Sequence, residues 1–278
     1  MKIGLTIFLT DQSIGAVDMA RETEARGFSS LWFPEHTHIP VSRRTPFPSP
    51  DGELPTEYYR VLDPVVALTA CAIATEHLVL GSGISLVAQH DPIAYAKSWS
   101  TLDHISGGRT RFGVGFGWNV EEMHEHGVPY ATRREHAREH VLAMQRLWSH
   151  EEASFVGEHV SFEPTFSWPK PLQQPRIPTY VGGGGGPKLF QHVAEYADGW
   201  LPIGGAGIRE SLPLLREAWD RAGRSGAPDV VPFGTVPSAS KLEYYASLGC
   251  SEVVLRVPSF PRDETLHVLD NFAAFVSA

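Results

Sequence analysis

Short, uninterrupted apolar runs alternate along the chain with longer stretches whose apolar residues recur at helical spacing. Ile3–Leu9 predicts a strand, Ser13–Arg26 a helix capped by Ser13 and stopped by Gly27, and Ser29–Phe33 a second strand. Residues 34–62 are proline-rich and aperiodic, so they predict a long loop. Asp63-Pro64 and Asp91-Pro92 each place a cap before a first-turn proline; they open helices to Thr75 and to Gly107-Gly108, with a strand at Leu78–Ser85 between them. A strand at Arg109–Val114 follows. The helix Thr132–Trp148 carries Ala137, Val141, Met144 and Trp148 on one face and Arg133, Arg134, Glu135 and Glu139 around the rest. After an excursion at Phe155–Phe162 and a proline-rich crossing at Trp168–Pro178, strands at Thr179–Val181, Gly199–Leu201, Val230–Phe233 and Ser251–Val257 alternate with helices at Pro187–Ala197, Ile208–Ala222, Ser238–Leu248 and Asp263–Val276. Strands that alternate with helices form a parallel sheet. The expected fold is α/β: a (β/α)8 TIM barrel with insertions after strand 2 (34–62) and before strand 5 (149–178), one domain over residues 1–278.

Composition narrows the function classes. A formal net charge of −9 argues against nucleic acid as a partner, because Arg43-Arg44 is the sole close basic pair in a loop. No apolar stretch approaches the ~18 residues of a membrane span, and the opening MKIGLTIFLTDQS is too short an apolar run for a secretory signal. Cys71 and Cys250 sit far apart in apolar surroundings and are expected as reduced core thiols. These features point to a cytoplasmic protein with a small-molecule substrate.

In a barrel of this type the chemistry lies in the loops that follow the strands. Gly182–Gly186 follows a strand and precedes a helix starting at Pro187, a context that offers backbone N–H groups to a phosphate; a ligand-free flexible turn is the other alternative. The loop GVGFGWNVEE at 113–122 fails as a dinucleotide fingerprint, since Trp118 stands where a glycine belongs; it serves either as backbone access beside Trp118 and Asn119 or as a tight turn around a packed indole. Small residues in the loop GSGISL, 81–86, leave room for something flat. His36, in the loop FPEHTHIP after strand 2, is either a structural histidine or a group that exchanges protons near neutral pH, tuned by Glu35 or another neighbour. The pairs His36-x-His38 and His124-x-His126 raise a metal-dependent hydrolase, but strands seven and eight end without carboxylates, and His124 and His126 fit a solvated turn; no metal is expected.

Together these loops resemble the bacterial luciferase-like superfamily of flavin- and deazaflavin-dependent oxidoreductases. The resemblance lies in LVLGSGISLVAQHDPIAYAKSWSTLDHISGGRTRFGVGFGWNVEE (78–122), PTYVGGGGGPKLFQHVAEYADGWLP (178–202) and LWFPEHTHIP (31–40), the last similar to the acid–His loop of members that use coenzyme F420. It implies an F420-dependent oxidoreductase, in which Glu35 and His36 flank the cofactor ring and His36 gives or takes the proton that accompanies hydride transfer. Gly83–Ile84 matches a non-prolyl cis peptide pressed against one ring face, with Ser85 next to it. Gly115, Gly117 and Asn119 match positions along the ribityl chain, and Gly183, Gly184, Gly185 and Gly186 match a phosphate cradle. In the loop 34–62, Phe47, Tyr58 and Tyr59 either border a site for a small apolar substrate such as an alcohol, aldehyde or enone, or pack the insertion itself. The alternatives are an FMN-dependent monooxygenase of the same fold, a non-catalytic F420-binding protein and the barrel hydrolase. Members of the superfamily are often homodimers, which is the expected assembly.

Overall fold

The structure is a computed structural model that describes residues 1–276. In chain order the strands are β1 (Lys2–Thr6), β2 (Ser30–Phe33), β3 (Val79–Ser82), β4 (Thr110–Val114), β5 (Glu152–Val156), β6 (Ser161–Phe166), β7 (Thr179–Gly182), β8 (Gly199–Leu201), β9 (Asp229–Val230), β10 (Phe233–Thr235) and β11 (Glu252–Arg256). The helices are α1 (Ala16–Ala25), α2 (Pro64–Ala74), α3 (Pro92–Ser106), α4 (Val120–Glu125), α5 (Arg133–Ser149), α6 (Pro187–Tyr196), α7 (Ile208–Arg221), α8 (Ala239–Ser247) and α9 (Arg262–Ala273).

The excursion before strand five is the antiparallel hairpin β5–β6. The other strands run parallel in the order β10-β11-β1-β2-β3-β4-β7-β8-β9. The two ends of that order are halves of one chain segment. Val231 N–H donates to Trp200 O and Phe233 N–H to Pro202 O on one side, while Val254 N–H donates to Pro232 O on the other. The sheet thus closes on itself, and the expected (β/α)8 barrel is present. Its seventh strand is split because Pro232 has no N–H to contribute to a ladder.

Local chemistry explains most element ends. Asp63 accepts from Val66 N–H at 2.9 Å and Asp91 from Ala94 N–H at 2.8 Å, so both Asp-Pro starts form as their sequences dictate. α1 begins later than Ser13, whose hydroxyl instead accepts from Thr10 N–H at 2.9 Å and closes a turn. α4 is absent from the sequence expectation, being too short to show a hydrophobic period. Asn119 Oδ1 starts it by accepting from the N–H groups of Glu121 (3.2 Å) and Glu122 (3.3 Å).

Two apolar regions carry the packing. The larger lies between sheet and helices, and Trp99, Trp148, Phe112 and Phe190 are fully buried there. The smaller fills the barrel lumen with Trp32, Tyr180, Leu201, Val231, Phe233 and Val254. Trp32 meets Tyr180 and Phe233 edge-on, at centroid separations of 6.1 and 5.7 Å. Toward the strand N-termini the lumen is plugged by Glu252, which pairs with Arg111 and accepts from Ser29 and Ser30. The strand C-termini are left open to a cavity.

Candidate active site

That cavity has a volume of about 390 Å³, within the range of small-molecule sites. Every barrel strand, or the loop that follows it, contributes to its lining: Phe8, His36, Ile84, Trp118, Gly183, Ile203, Phe233 and Arg256. The long loop 34–62 closes one side with Phe47, Pro48 and Tyr58, and α5 closes another with Arg133 and Arg134.

His36 sits in the wall of this cavity with a side chain only 5% exposed. Its Nδ1 lies 3.0 and 2.9 Å from the two carboxylate oxygens of Glu122, in the first turn of α4. Tyr58 and Trp118 flank the ring at centroid separations of 5.3 and 6.0 Å, and Phe47 packs on both of them. Burial pushes the Tyr58 hydroxyl above the usual phenol range. The wall around His36 is therefore aromatic and largely dry.

Glu35 does not pair with its neighbour. Its carboxylate accepts from Ser85 Oγ at 2.8 Å, Leu86 N–H at 2.7 Å and His90 Nε2 at 2.7 Å. Consecutive side chains at a strand end diverge, which turns Glu35 toward the loop after β3 and His36 toward α4. Burial acts to raise the Glu35 pKa, but the bonds from His90, Ser85 and Leu86 outweigh it and hold the carboxyl below its ordinary value. His90 in turn stacks on Tyr95 at 3.8 Å. Glu35 thus fixes the segment that presents Ile84 to the cavity.

The Gly83–Ile84 peptide is cis. Three glycines make room around it. A Cβ on Gly115 would lie 1.8 Å from Ile84 Cδ1, one on Gly182 would lie 2.6 Å from Ile84 Cγ2, and one on Gly83 would lie 2.2 Å from Phe233 Cζ. Gly115 therefore accommodates Ile84 rather than touching the cavity, and Ser85 and Asn119 are likewise fully buried behind the wall. Gly83, Ile84, Gly117, Gly183 and Gly184 do line it. In the five-glycine run, Gly185 makes space for Ser211, whereas Gly184 and Gly186 face open space.

The glycine run ends at the N-terminus of α6, where Gly186 provides no side-chain cap and Pro187 occupies the first turn. Arg134 stands at the same end of the cavity, with its guanidinium 4.4 Å over the Phe116 ring. Arg134 Nη1, Trp118 Nε1 and Asn119 Nδ2 are buried without a hydrogen-bond partner. Burial, reinforced by the neighbouring Arg133 charge, pushes the Arg134 guanidinium below its ordinary value. Free amides at a helix start beside a half-buried guanidinium whose Nη1 has no partner form a setting for an anion. Sequence reasoning placed Arg134 on the polar face of a helix and Glu122 in a turn, so it missed both. The Asn119 cap followed by two acidic residues was the available signal for α4 and hence for Glu122.

The two histidine pairs do meet, on the outer side of α4. His38 Nε2–H donates to Glu125 at 2.7 Å, Thr37 Oγ1 lies 2.7 Å from His126 Nε2, and the two rings are 5.3 Å apart. Among the described residues no group of three or more His, Cys, Asp or Glu side chains converges as a metal cage. No helix there is long and apolar enough to cross a membrane.

This chain belongs to the luciferase-like monooxygenase family, whose profile matches residues 11–248. It is 43% identical over 277 residues to an uncharacterised protein of Mycobacterium tuberculosis, covering 99% of this chain and 98% of that one. It is 28% identical over 216 residues to the F420-dependent glucose-6-phosphate dehydrogenase of Kineococcus radiotolerans, covering 75% of this chain and 59% of the relative. Two solved structures share its fold. The monooxygenase RslO1 from Streptomyces bottropensis superposes with a TM-score of 0.80 at 19% identity, covering 99% of this chain and 98% of that one. An F420-dependent secondary alcohol dehydrogenase, in complex with an F420–acetone adduct, superposes at 0.75 and 17%, with the same coverage.

Proposed function

We propose that the chain, acting as one catalytic domain over residues 1–278, is an F420-dependent oxidoreductase that moves a hydride between deazaflavin and a small apolar organic substrate. The observation that carries this is the pairing, in one cavity, of a buried imidazole at the aromatic end with helix-start amides and an unpaired guanidinium at the other. The named F420-dependent relative and structural neighbour support the same choice of cofactor.

The residues fit such a group. Ile84 and the Gly83 backbone offer a flat, apolar seat for a ring system. Gly184, the start of α6 and Arg134 would hold its phosphate. When bound, F420 supplies the hydride acceptor or donor carbon. The protein does the rest. Phe8, Phe47, Tyr58 and Trp118 exclude water and orient an apolar substrate, and His36 takes or returns its proton at Nε2, the ring nitrogen left free by Glu122.

Fluorescence and absorption titrations of the purified chain with F420 and with FMN test the cofactor. Saturable binding of F420 and none of FMN is expected; binding of FMN alone, with oxygen-dependent turnover, would instead make the chain a flavin monooxygenase. His36→Ala is expected to keep F420 affinity while turnover with 2-propanol or cyclohex-2-enone drops by about 10²-fold or more. Unchanged turnover would remove His36 from the mechanism.

A further inference from the structure

We infer that Glu122 is the positioning residue for His36, fixing the proton of the neutral imidazole on Nδ1 and aiming the Nε2 lone pair at the cavity. The inference rests on the proton-transfer role proposed for His36. Both Glu122 oxygens lie on Nδ1, at 3.0 and 2.9 Å, with side-chain exposures of 1% for Glu122 and 5% for His36. An ionised carboxylate only accepts hydrogen bonds, so Nδ1 must donate. Nε2 then carries the lone pair, and it has no protein partner among the described residues.

Other carboxylates of this chain show how a structural one looks. Glu24 gathers the N–H groups of Glu76, His77 and Leu78. Glu139 gathers those of Glu158, His159 and Val160. Glu35 takes a backbone N–H, a hydroxyl and an imidazole. The Glu122 side chain gathers no backbone amide; among the described residues its only donor is His36 Nδ1. A carboxylate buried this deeply with a single donor group is costly to desolvate and does little for the fold. Its placement makes sense through the ring it holds. The Glu122 backbone is itself pinned, since its N–H donates to the Asn119 cap at 3.3 Å.

The other charged or titratable groups near the pair face elsewhere. Tyr58 packs against the ring at a tilt, with a centroid separation of 5.3 Å. Glu35 is bound to His90 on the far side of the chain. His38, His126 and Glu125 bond one another or Thr37 on the outer face of α4. Arg43 lies over the Trp118 ring. Glu122 alone touches the imidazole nitrogen that sets the tautomer.

An amide at position 122 can either accept from Nδ1–H or donate to a bare Nδ1, so Glu122→Gln unlocks the tautomer while keeping size. The decisive measurement is histidine ¹⁵N NMR of the free protein at pH values where the ring is neutral. Expected are a single Nδ1-protonated form for His36 in the native chain and a mixture in Glu122→Gln, with Glu122→Asp returning to the native form. In the F420-loaded enzyme, Glu122→Gln is expected to lower kcat by about 10²-fold or more with the F420 dissociation constant and KM little changed. A native His36 protonated on Nε2, or a Glu122→Gln enzyme with native tautomer and kcat, overturns the assignment. Should His36→Ala turn over normally while the tautomer behaves as expected, the proton-transfer proposal fails and the hold of Glu122 on the ring stands.

Discussion

At the scale of single residues, the glycines of the site divide into two kinds. Gly115 and Gly182 are hollows into which Ile84 fits, whereas Gly184 borders empty space at the cavity edge. The same substitution therefore has different effects on stability at the two kinds of site. Gly115→Ala places a methyl group 1.8 Å from Ile84 Cδ1 and must displace it; overpacking of this sort costs about 1–3 kcal/mol. It is expected to lower the thermal midpoint and to weaken cofactor binding together. Gly184→Ala meets nothing within 4 Å, so the midpoint should hold while F420 affinity falls. Thermal melts and F420 titrations of both variants check this. Equal stability of Gly115→Ala and the native chain would mean that Ile84 is not held as described.

At the scale of elements, α4 is the clasp of the long loop. Three of its carboxylates hold different parts of the loop: Glu121 takes Arg44 N–H and Thr45 Oγ1, Glu122 takes His36, and Glu125 takes His38. The bond from Thr45, followed by that from Arg44 N–H, depresses the Glu121 carboxyl to about 2 from its model-compound value of 4.5. A carboxyl whose folded pKa is lowered stabilises the clasp above its unfolded pKa, and that contribution is lost as pH falls through the folded one. The window is thus pH 4.5 down to about 2. Glu121 is close to solvent, so screening limits its share to under about 1 kcal/mol. Hydrogen exchange across residues 41–52 should rise relative to the barrel as pH falls through that window, and Glu121→Gln should show the raised exchange already at pH 5.5. Equal protection in the variant would mean that Glu121 does not clasp the loop.

What the sequence reveals follows from the length of each signal. Long alternation made the barrel legible, and Asp63-Pro64 and Asp91-Pro92 marked helix starts within a residue. α4, with six residues, is shorter than two helical turns and leaves no period to detect. Glu35 and His36 were legible as a pair in the chain, but their divergence is a matter of strand geometry and of which loop each meets. The partner of His36 lies 86 positions away. No local pattern announces such a contact.

At the scale of the whole molecule, an acidic chain would have to admit an anionic cofactor. The formal net charge of −9 opposes approach of any phosphate-bearing ligand. Arg133 and Arg134 offset this locally, at the N-terminal turn of α5 in the wall of the same cavity. The two effects respond differently to salt. Long-range repulsion is screened within about 10 Å at 0.1 M ionic strength, while a buried contact is screened far less. The native chain should therefore hold F420 with little loss as salt rises. Arg134→Ala removes a charge-assisted bond worth about 1.5–3 kcal/mol, so affinity should fall about 10- to 100-fold, and the remaining binding should strengthen with added salt because repulsion is what salt then relieves. The phosphate-free deazaflavin chromophore separates charge from packing: its affinity should be the same in the variant and the native chain. Native F420 affinity in Arg134→Ala, or an equal loss for the phosphate-free compound, would place the anion elsewhere in the cavity.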